Sequence, residues 1–229
     1  GRQTQFNFTP GVGLYTNVTN PDRSVHETDP DGTITETTIS GDPRFGLQSP
    51  FASSVKVTTP SGLSAHIQRT RSIAYTPSTS GPETFTLTEN SSFNNRVSTN
   101  IFDSGTRTRT AISPEGRRMV SELDSLGRLI KVESAGVLPI EFQYDGRGRH
   151  TLTMQGSRLA SYGYDSRGYL SRVTDSLSRT TLYSRDAEGK ILTQTLPDGR
   201  EIGFTYDING NPTSLTPPGR GSYRFDFGG

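Results

Sequence analysis

The sequence predicts an all-β fold, a continuous antiparallel meander of hairpins with a row of turns along each edge. Three observations predict it. First, Asp and Gly stand three apart in five successive marks, Asp124/Gly127, Asp145/Gly148, Asp165/Gly168, Asp186/Gly189 and Asp207/Gly210. Their aspartates are 21, 20, 21 and 21 residues apart, and a fixed period of this length marks a repeat architecture. Second, a weaker mark falls midway, as Pro114-Glu115-Gly116-Arg117, Asp175-Ser176-Leu177-Ser178-Arg179, Pro197-Asp198-Gly199-Arg200 and Pro217-Pro218-Gly219-Arg220. One repeat is therefore two strands and two turns. Third, no apolar stripe of helical period runs for about ten residues or more.

Each mark reads as a turn. An Asp at the start of a tight turn bonds its side chain to the backbone two residues on, and Gly three residues later takes a left-handed conformation at little cost. Tyr144, Tyr164 and Tyr206 precede three of these aspartates and end the incoming strand, whereas Leu129-Ile130-Lys131-Val132 and Lys190-Ile191-Leu192-Thr193 begin outgoing ones. With three to four residues in each turn, strands of about seven residues remain, near 23 Å long.

The chain divides into residues 1–110, where the repeat is degenerate, and 111–229, where it is regular, as one continuous repeat domain. In the first part Gln5-Phe6-Asn7-Phe8, Gly13 to Val18 and Thr33 to Ile39 read as strands, with turns at Asn20-Pro21-Asp22 and Asp29-Pro30-Asp31-Gly32. Gly41 to Gly46 breaks the third strand, and a loop is expected from Phe45 up to the strand Ser54–Thr59. Pro60-Ser61-Gly62 turns that strand into Leu63–Arg69, and Thr76–Pro82 is a linker-like loop. Thr84–Thr88 is a strand of period 2, and Arg96–Phe102 pairs with Thr106–Thr110 across Asp103-Ser104-Gly105. The tail Ser222–Phe227 is one more strand. It stops in mid-pattern, so further repeats are expected beyond it.

Composition bounds the rest. Among 229 residues, 24 Lys+Arg face 23 Asp+Glu, which provides no field for nucleic acid or an anionic membrane. Only 29% are hydrophobic, too few for a thick two-layer core, so a sheet with partly wet faces is expected. Cys is absent, which excludes disulfides, thiol nucleophiles and thiolate metal sites, and fits a bacterial source. No stretch approaches the roughly 18 apolar residues of a membrane span. Gly1-Arg2-Gln3-Thr4 is no signal peptide and reads as a cut end.

Tyr162-Gly163-Tyr164-Asp165-Ser166-Arg167-Gly168-Tyr169-Leu170 resembles the YD repeat, also called the RHS (rearrangement hot spot) repeat. Phe142-Gln143-Tyr144-Asp145 and Phe204-Thr205-Tyr206-Asp207 resemble it with Phe at the first aromatic. Tyr183-Ser184-Arg185-Asp186 loses the second aromatic to Arg185, and Leu123-Asp124 loses the Tyr. The resemblance covers the second half well and residues 1–110 loosely. Members of this family include bacterial polymorphic toxins, shells of insecticidal toxin complexes, wall-associated proteins and teneurins. It implies a β-sheet that winds in a curve or spiral, closing in complete members into a shell around a C-terminal toxin. This chain is too short to close one.

The chemistry is sparse. The toxic and self-cleaving sites of the family lie beyond the repeats, so no catalytic residue, metal site or cofactor is carried over, and no enzyme is expected. His26, His66 and His150 lack metal spacing. Asp29-x-Asp31-Gly32 has a calcium-loop look without the rest of the ligand series, and reads as a turn. The row of Asp145, Asp165, Asp186 and Asp207 has two readings, repeated cation binding and turn capping, of which capping needs no extra assumption. The tyrosines could form a sugar-binding strip or stack between repeats. Arg128, Arg149, Arg179, Arg200 and Arg220 could pair with the Asp of a neighbouring turn. The expected function is a non-catalytic scaffold of a secreted or cell-surface protein that encases or displays a toxin or other domain. Its partners would be further repeats and a C-terminal domain of the parent chain. The alternative is an adhesion module for glycans or a cell surface.

Overall fold

The structure, a computed structural model, describes residues 1–77 and 81–226. The centre of the predicted linker Thr76–Pro82 and the end of the predicted tail strand, Phe227 onward, lie outside the described residues. All regular structure among the described residues is β, as predicted; no helix is present. The chain forms two compact units, residues 1–137 and residues from 138 on.

In the first unit the strands are β1 (Gln3–Thr9), β2 (Gly13–Thr19), β3 (Val25–Thr28), β4 (Ile34–Asp42), β5 (Gly46–Thr58), β6 (Ser64–Thr76), β7 (Thr84–Phe93), β8 (Arg96–Asp103), β9 (Thr108–Ile112), β10 (Arg118–Leu123) and β11 (Leu129–Ser134). From β1 to β11, consecutive strands pair antiparallel. In the second unit they are β12 (Val137–Tyr144), β13 (His150–Gln155), β14 (Arg158–Tyr164), β15 (Leu170–Thr174), β16 (Thr180–Arg185), β17 (Ile191–Thr195), β18 (Glu201–Tyr206), β19 (Pro212–Thr216) and β20 (Tyr223–Arg224), again an antiparallel meander.

The register sorts the second unit into two faces, because side chains alternate along a strand. Phe142↔Thr153↔Ala160, Tyr162↔Val173↔Thr181, Tyr183↔Gln194↔Ile202 and Phe204↔Leu215↔Tyr223 share the face that carries most aromatics. Leu152↔Ser161↔Thr174↔Thr180 and Thr193↔Gly203↔Thr216 lie on the other face, rich in small and hydroxyl side chains. Neither face acquires a dry core. In the whole chain the only buried hydrophobic residue among those described is Val18, and the accessible surface is 15251 Å². A compact monomer of this mass exposes about 10,200 Å². The low apolar content therefore has its structural counterpart in a sheet that lacks a second layer.

Residues 46–53, expected as a loop, are strand. Pro50 is compatible with this strand, since Pro is excluded from a ladder only where its N–H is needed. Gly46 and Pro50–Ala52 pair with β4 alone, and the β5–β6 ladder begins at Ser54↔Gln68. The outer half of β6 likewise pairs only with β7. The two long strands thus fork beyond Ser54 and Gln68, with register shifts at Thr38/Ile39 and Gly41/Asp42. Side chains take over where backbone pairing stops. Asp42, 2% exposed, receives Arg44 Nε at 3.0 Å and Arg71 Nη1 at 3.5 Å. Arg71 also bonds Glu89 at 2.5 Å and lies over the Phe51 ring at 4.4 Å. The Arg44 side-chain and backbone N–H groups, then the two guanidinium charges, hold the Asp42 carboxyl down at about 2.

Candidate functional site

The repeated turn is the feature that the chain builds many times. In each copy the N–H of the first residue donates to the carbonyl of the fifth, and the N–H of the fourth donates back to the carbonyl of the first. This geometry recurs at Asp124–Arg128, Asp145–Arg149, Asp165–Tyr169, Asp186–Lys190 and Asp207–Asn211, and midway at Asp175–Arg179 and Leu196–Arg200. It is a three-residue hairpin loop, a type I turn followed by a left-handed residue and a bulge. Gly127, Gly148, Gly168, Gly189 and Gly210 occupy that left-handed position, at φ between 78° and 100°. The same turn closes hairpins in the degenerate region, at Asn20–Ser24, Asp29–Thr33 and Thr59–Leu63, and at the half-period mark Ser113–Arg117. Loose spacing in the degenerate region comes from strands of uneven length and from other turns between them, such as the two-residue loop Asn94-Asn95, with both residues at positive φ, that closes β7 on β8.

The carboxylate of each turn Asp is used inside its own turn. Asp145 Oδ1 accepts the N–H groups of Arg147 and Arg149 at 2.9 Å each, and Oδ2 takes Arg149 Nε at 2.7 Å. Asp124 repeats this with Leu126 and Arg128, and Asp175 with Leu177 and Arg179. Asp207 pairs with Asn211, and Asp186 with Lys190. The N–H of the fifth residue, with its side chain, holds Asp124, Asp145, Asp175 and Asp207 below the usual carboxylate range. At Asp165 and Asp186 burial pushes upward, but the turn's N–H donors and the nearby cation outweigh it. Arg128, Arg149, Arg179 and Arg200 therefore pair within their own turns, not with a neighbour as expected. A five-residue turn places its last side chain directly beside its first.

Tyr164 and Tyr206 each meet a cation of the preceding turn on the same edge. Arg149 lies over the Tyr164 ring at 4.4 Å and Lys190 over Tyr206 at 5.8 Å. Arg149 Nη1, buried without a hydrogen-bond acceptor, belongs to the guanidinium over that ring. The hydroxyls of Tyr164 and Tyr206 donate to the carbonyls of His150 and Ile191 at 2.7 and 2.9 Å. Tyr144 stands 5.7 Å from His150, which sits in an aromatic cluster with Phe142 and Tyr162.

The other predicted candidates stay apart. Asp31 bonds Thr33 within its own turn. His26 faces Glu36 at 3.9 Å. His66 Nε2 lies 2.8 Å from Ser54 Oγ, a contact between adjacent strands that spacing did not reveal. No carboxylate is described at the other ring nitrogen of His66. Among the described residues no three His, Cys, Asp or Glu are grouped to hold a metal ion. Among the described residues no helix is long and apolar enough to cross a membrane.

No curated protein matches the sequence. Among solved structures, a TcdB2–TccC3–Cdc42 crystal structure and a Photorhabdus luminescens Tc holotoxin pore are each 13% identical, at TM-score 0.48. Each alignment covers 93% of this chain and 13% of the other. A TcdB2–TccC3 structure without its hypervariable C-terminal region is 14% identical at TM-score 0.47, over 90% of this chain and 13% of that one. The chain thus spans about an eighth of the length of these solved chains. A family model, the teneurin YD-shell, matches residues 16–228, including most of the region where the repeat is degenerate. With the same five-residue turn recurring on both sides of residue 110 and a match over nearly the whole length, the chain belongs to the teneurin YD-shell family.

Proposed function

We propose that this chain is a non-catalytic wall segment of a secreted YD-shell protein, which encases or displays another domain of its parent chain. The observation that carries this reading is the consumption of the turn carboxylates. The Asp row that could have bound cations or done acid–base work is bonded by N–H groups and cations of its own turns. Such a row organises hairpins. Membership in the YD-shell family supports the same reading. The sheet's lack of a dry core fits a wall whose faces contact solvent on one side and contents on the other.

Limited proteolysis of the complete parent protein tests it. Sequence following residue 229 should stay intact in the native protein and become cleavable once the sheet is unfolded in urea. Cleavage of that sequence at equal rates in both states would overturn enclosure.

A further inference from the structure

Successive turns on the Tyr-Asp edge of the second unit meet through a recurring pair of side chains, and at the Asp165 and Asp186 turns Arg167 adds bonds to the carbonyls of Asp186 and Arg185. One stands four residues after a turn Asp, and the other stands just before the next Asp on that edge. Two pairs are built alike, with the cation first and the ring second: Arg149 with Tyr164, and Lys190 with Tyr206. The pair between them has the residue types reversed. Tyr169 stands four residues after Asp165, Arg185 stands before Asp186, and the guanidinium lies 5.9 Å from the ring centroid.

The hydrogen bond follows the position and not the residue. Tyr164 donates to the carbonyl of His150, and Tyr206 to that of Ile191. Arg185 Nε donates to the carbonyl of Leu170 at 3.3 Å. Each acceptor lies five residues after the earlier turn's Asp. The packing repeats at two of the three pairs, Gly210 beside the Lys190–Tyr206 pair facing open space. A methyl group on Gly168 would stand 3.5 Å from Arg149 Nη1, and one on Gly189 would strike the Tyr169 ring at 2.5 Å. Attraction between a cation and an aromatic face does not depend on which strand supplies which partner.

We infer that these positions form one rung joining neighbouring turns, that a rung requires one cation and one ring in either order, and that Tyr169 and Arg185 are an exchanged pair. Arg185, which from sequence reads as a lapse in the Tyr repeat and the weak point of the ladder, is then a compensated position. The rung deepens the scaffold reading but is decided by hydrogen exchange, whereas enclosure is decided by proteolysis, so either can fail alone.

The 229-residue chain carries the test, with amide exchange followed by mass spectrometry over the two turns at Asp165 and Asp186. Arg167 also lies over the Tyr169 ring, at 5.6 Å, so both variants are made in an Arg167→Gln parent, in which Arg185→Tyr leaves ring on ring and Tyr169→Arg leaves cation on cation. Each should speed exchange in these turns about fivefold to tenfold. The double exchange rebuilds the Arg149–Tyr164 arrangement, including a guanidinium for Asp165 and a hydroxyl for the Leu170 carbonyl. Its rates should return to within about twofold of the parent. Rates equal to the product of the two single effects would show independent sites and overturn the inference. Should Tyr169→Arg not fold, Tyr169→Phe and Tyr169→Leu decide. Phe should keep the parent rates and Leu raise them, and equal rates in both would overturn the rung.

Discussion

The two units hold a one-layer sheet by different means. In the first, strands reach 13 residues in β5 and β6, and where their mutual ladder stops an ion network around Asp42 bridges the fork. In the second, strands run two to eight residues and carry no such network. Their order rests on a uniform turn at every Tyr-Asp position and on the side-chain rungs between turns. The difference teaches that a sheet without a dry core needs a local device near each strand end. A long hairpin concentrates that device in one buried carboxylate, whereas short hairpins distribute it.

The sharpest break of the comparison is Gly41→Ala. A Cβ there would lie 2.7 Å from the backbone carbon of Gly46, where the β4–β5 hairpin closes beside Asp42. Backbone cannot yield as a side-chain tip does, so a loss of about 2–3 kcal/mol is expected. Gly203→Ala in the second unit would meet only Thr216 at 3.7 Å, ordinary contact, and should stay within about 0.5 kcal/mol. Urea unfolding of the two variants measures this. Equal losses would mean that the fork is no tighter than the short hairpins.

Next in size is a contrast within the second unit. Gly189 has φ 90° and Tyr169 against it, while Gly199, on the half-period turn, has φ 82° and open space. Gly189→Ala should cost about 2 kcal/mol and Gly199→Ala about 1 kcal/mol, the second from backbone strain alone. Matching denaturation midpoints would remove any special role for packing on the Tyr-Asp edge.

Acid separates the units in a third way. Asp42 has its carboxyl depressed to about 2, so its contribution is complete above the unfolded value of 3.8 and is lost as the pH falls from there towards about 2. Asp42→Asn should lower the urea midpoint at pH 5 and flatten its decline between pH 4 and pH 2. A decline as steep as the parent's would assign acid sensitivity to the turn aspartates, which are also depressed and which the substitution leaves in place.

Much of this was legible in the sequence, for a physical reason. A turn that needs an acceptor at its first residue and a left-handed residue at its fourth can be written with few amino acids, so Asp124/Gly127 through Asp207/Gly210 announce it. Pro114-Glu115-Gly116 and Pro197-Asp198-Gly199 do the same at the half period. Long-range side-chain devices leave no such trace. Arg71 lies 29 residues from Asp42, and nothing local marks either as a partner. The run Glu89–Phe93 continues β7 although it has no apolar alternation, since both of its neighbours supply a ladder. Arg185 departs from the motif along its own strand, and its partner Tyr169 lies on a different strand, where no local pattern marks it.

The smallest expected effect is a gain. Ser178 holds the fourth position of the Asp175 turn at φ 60°, the one described non-glycine at positive φ in the second unit. Left-handed backbone costs a residue with a Cβ about 1–2 kcal/mol, and Gly returns part of that as unfolded-state entropy. Ser178→Gly should therefore stabilise by about 0.5–1 kcal/mol. In the first unit Arg23 holds the same turn position at φ 67°, but its Nη1 donates to the carbonyl of Leu47 at 3.3 Å. Arg23→Gly relieves the same strain and forfeits that tie to β5, so its gain should be smaller. Thermal unfolding of both variants orders them. If Arg23→Gly gained as much as Ser178→Gly, strain relief would be the whole effect, and the first unit would owe nothing at this turn to side chains that reach between hairpins.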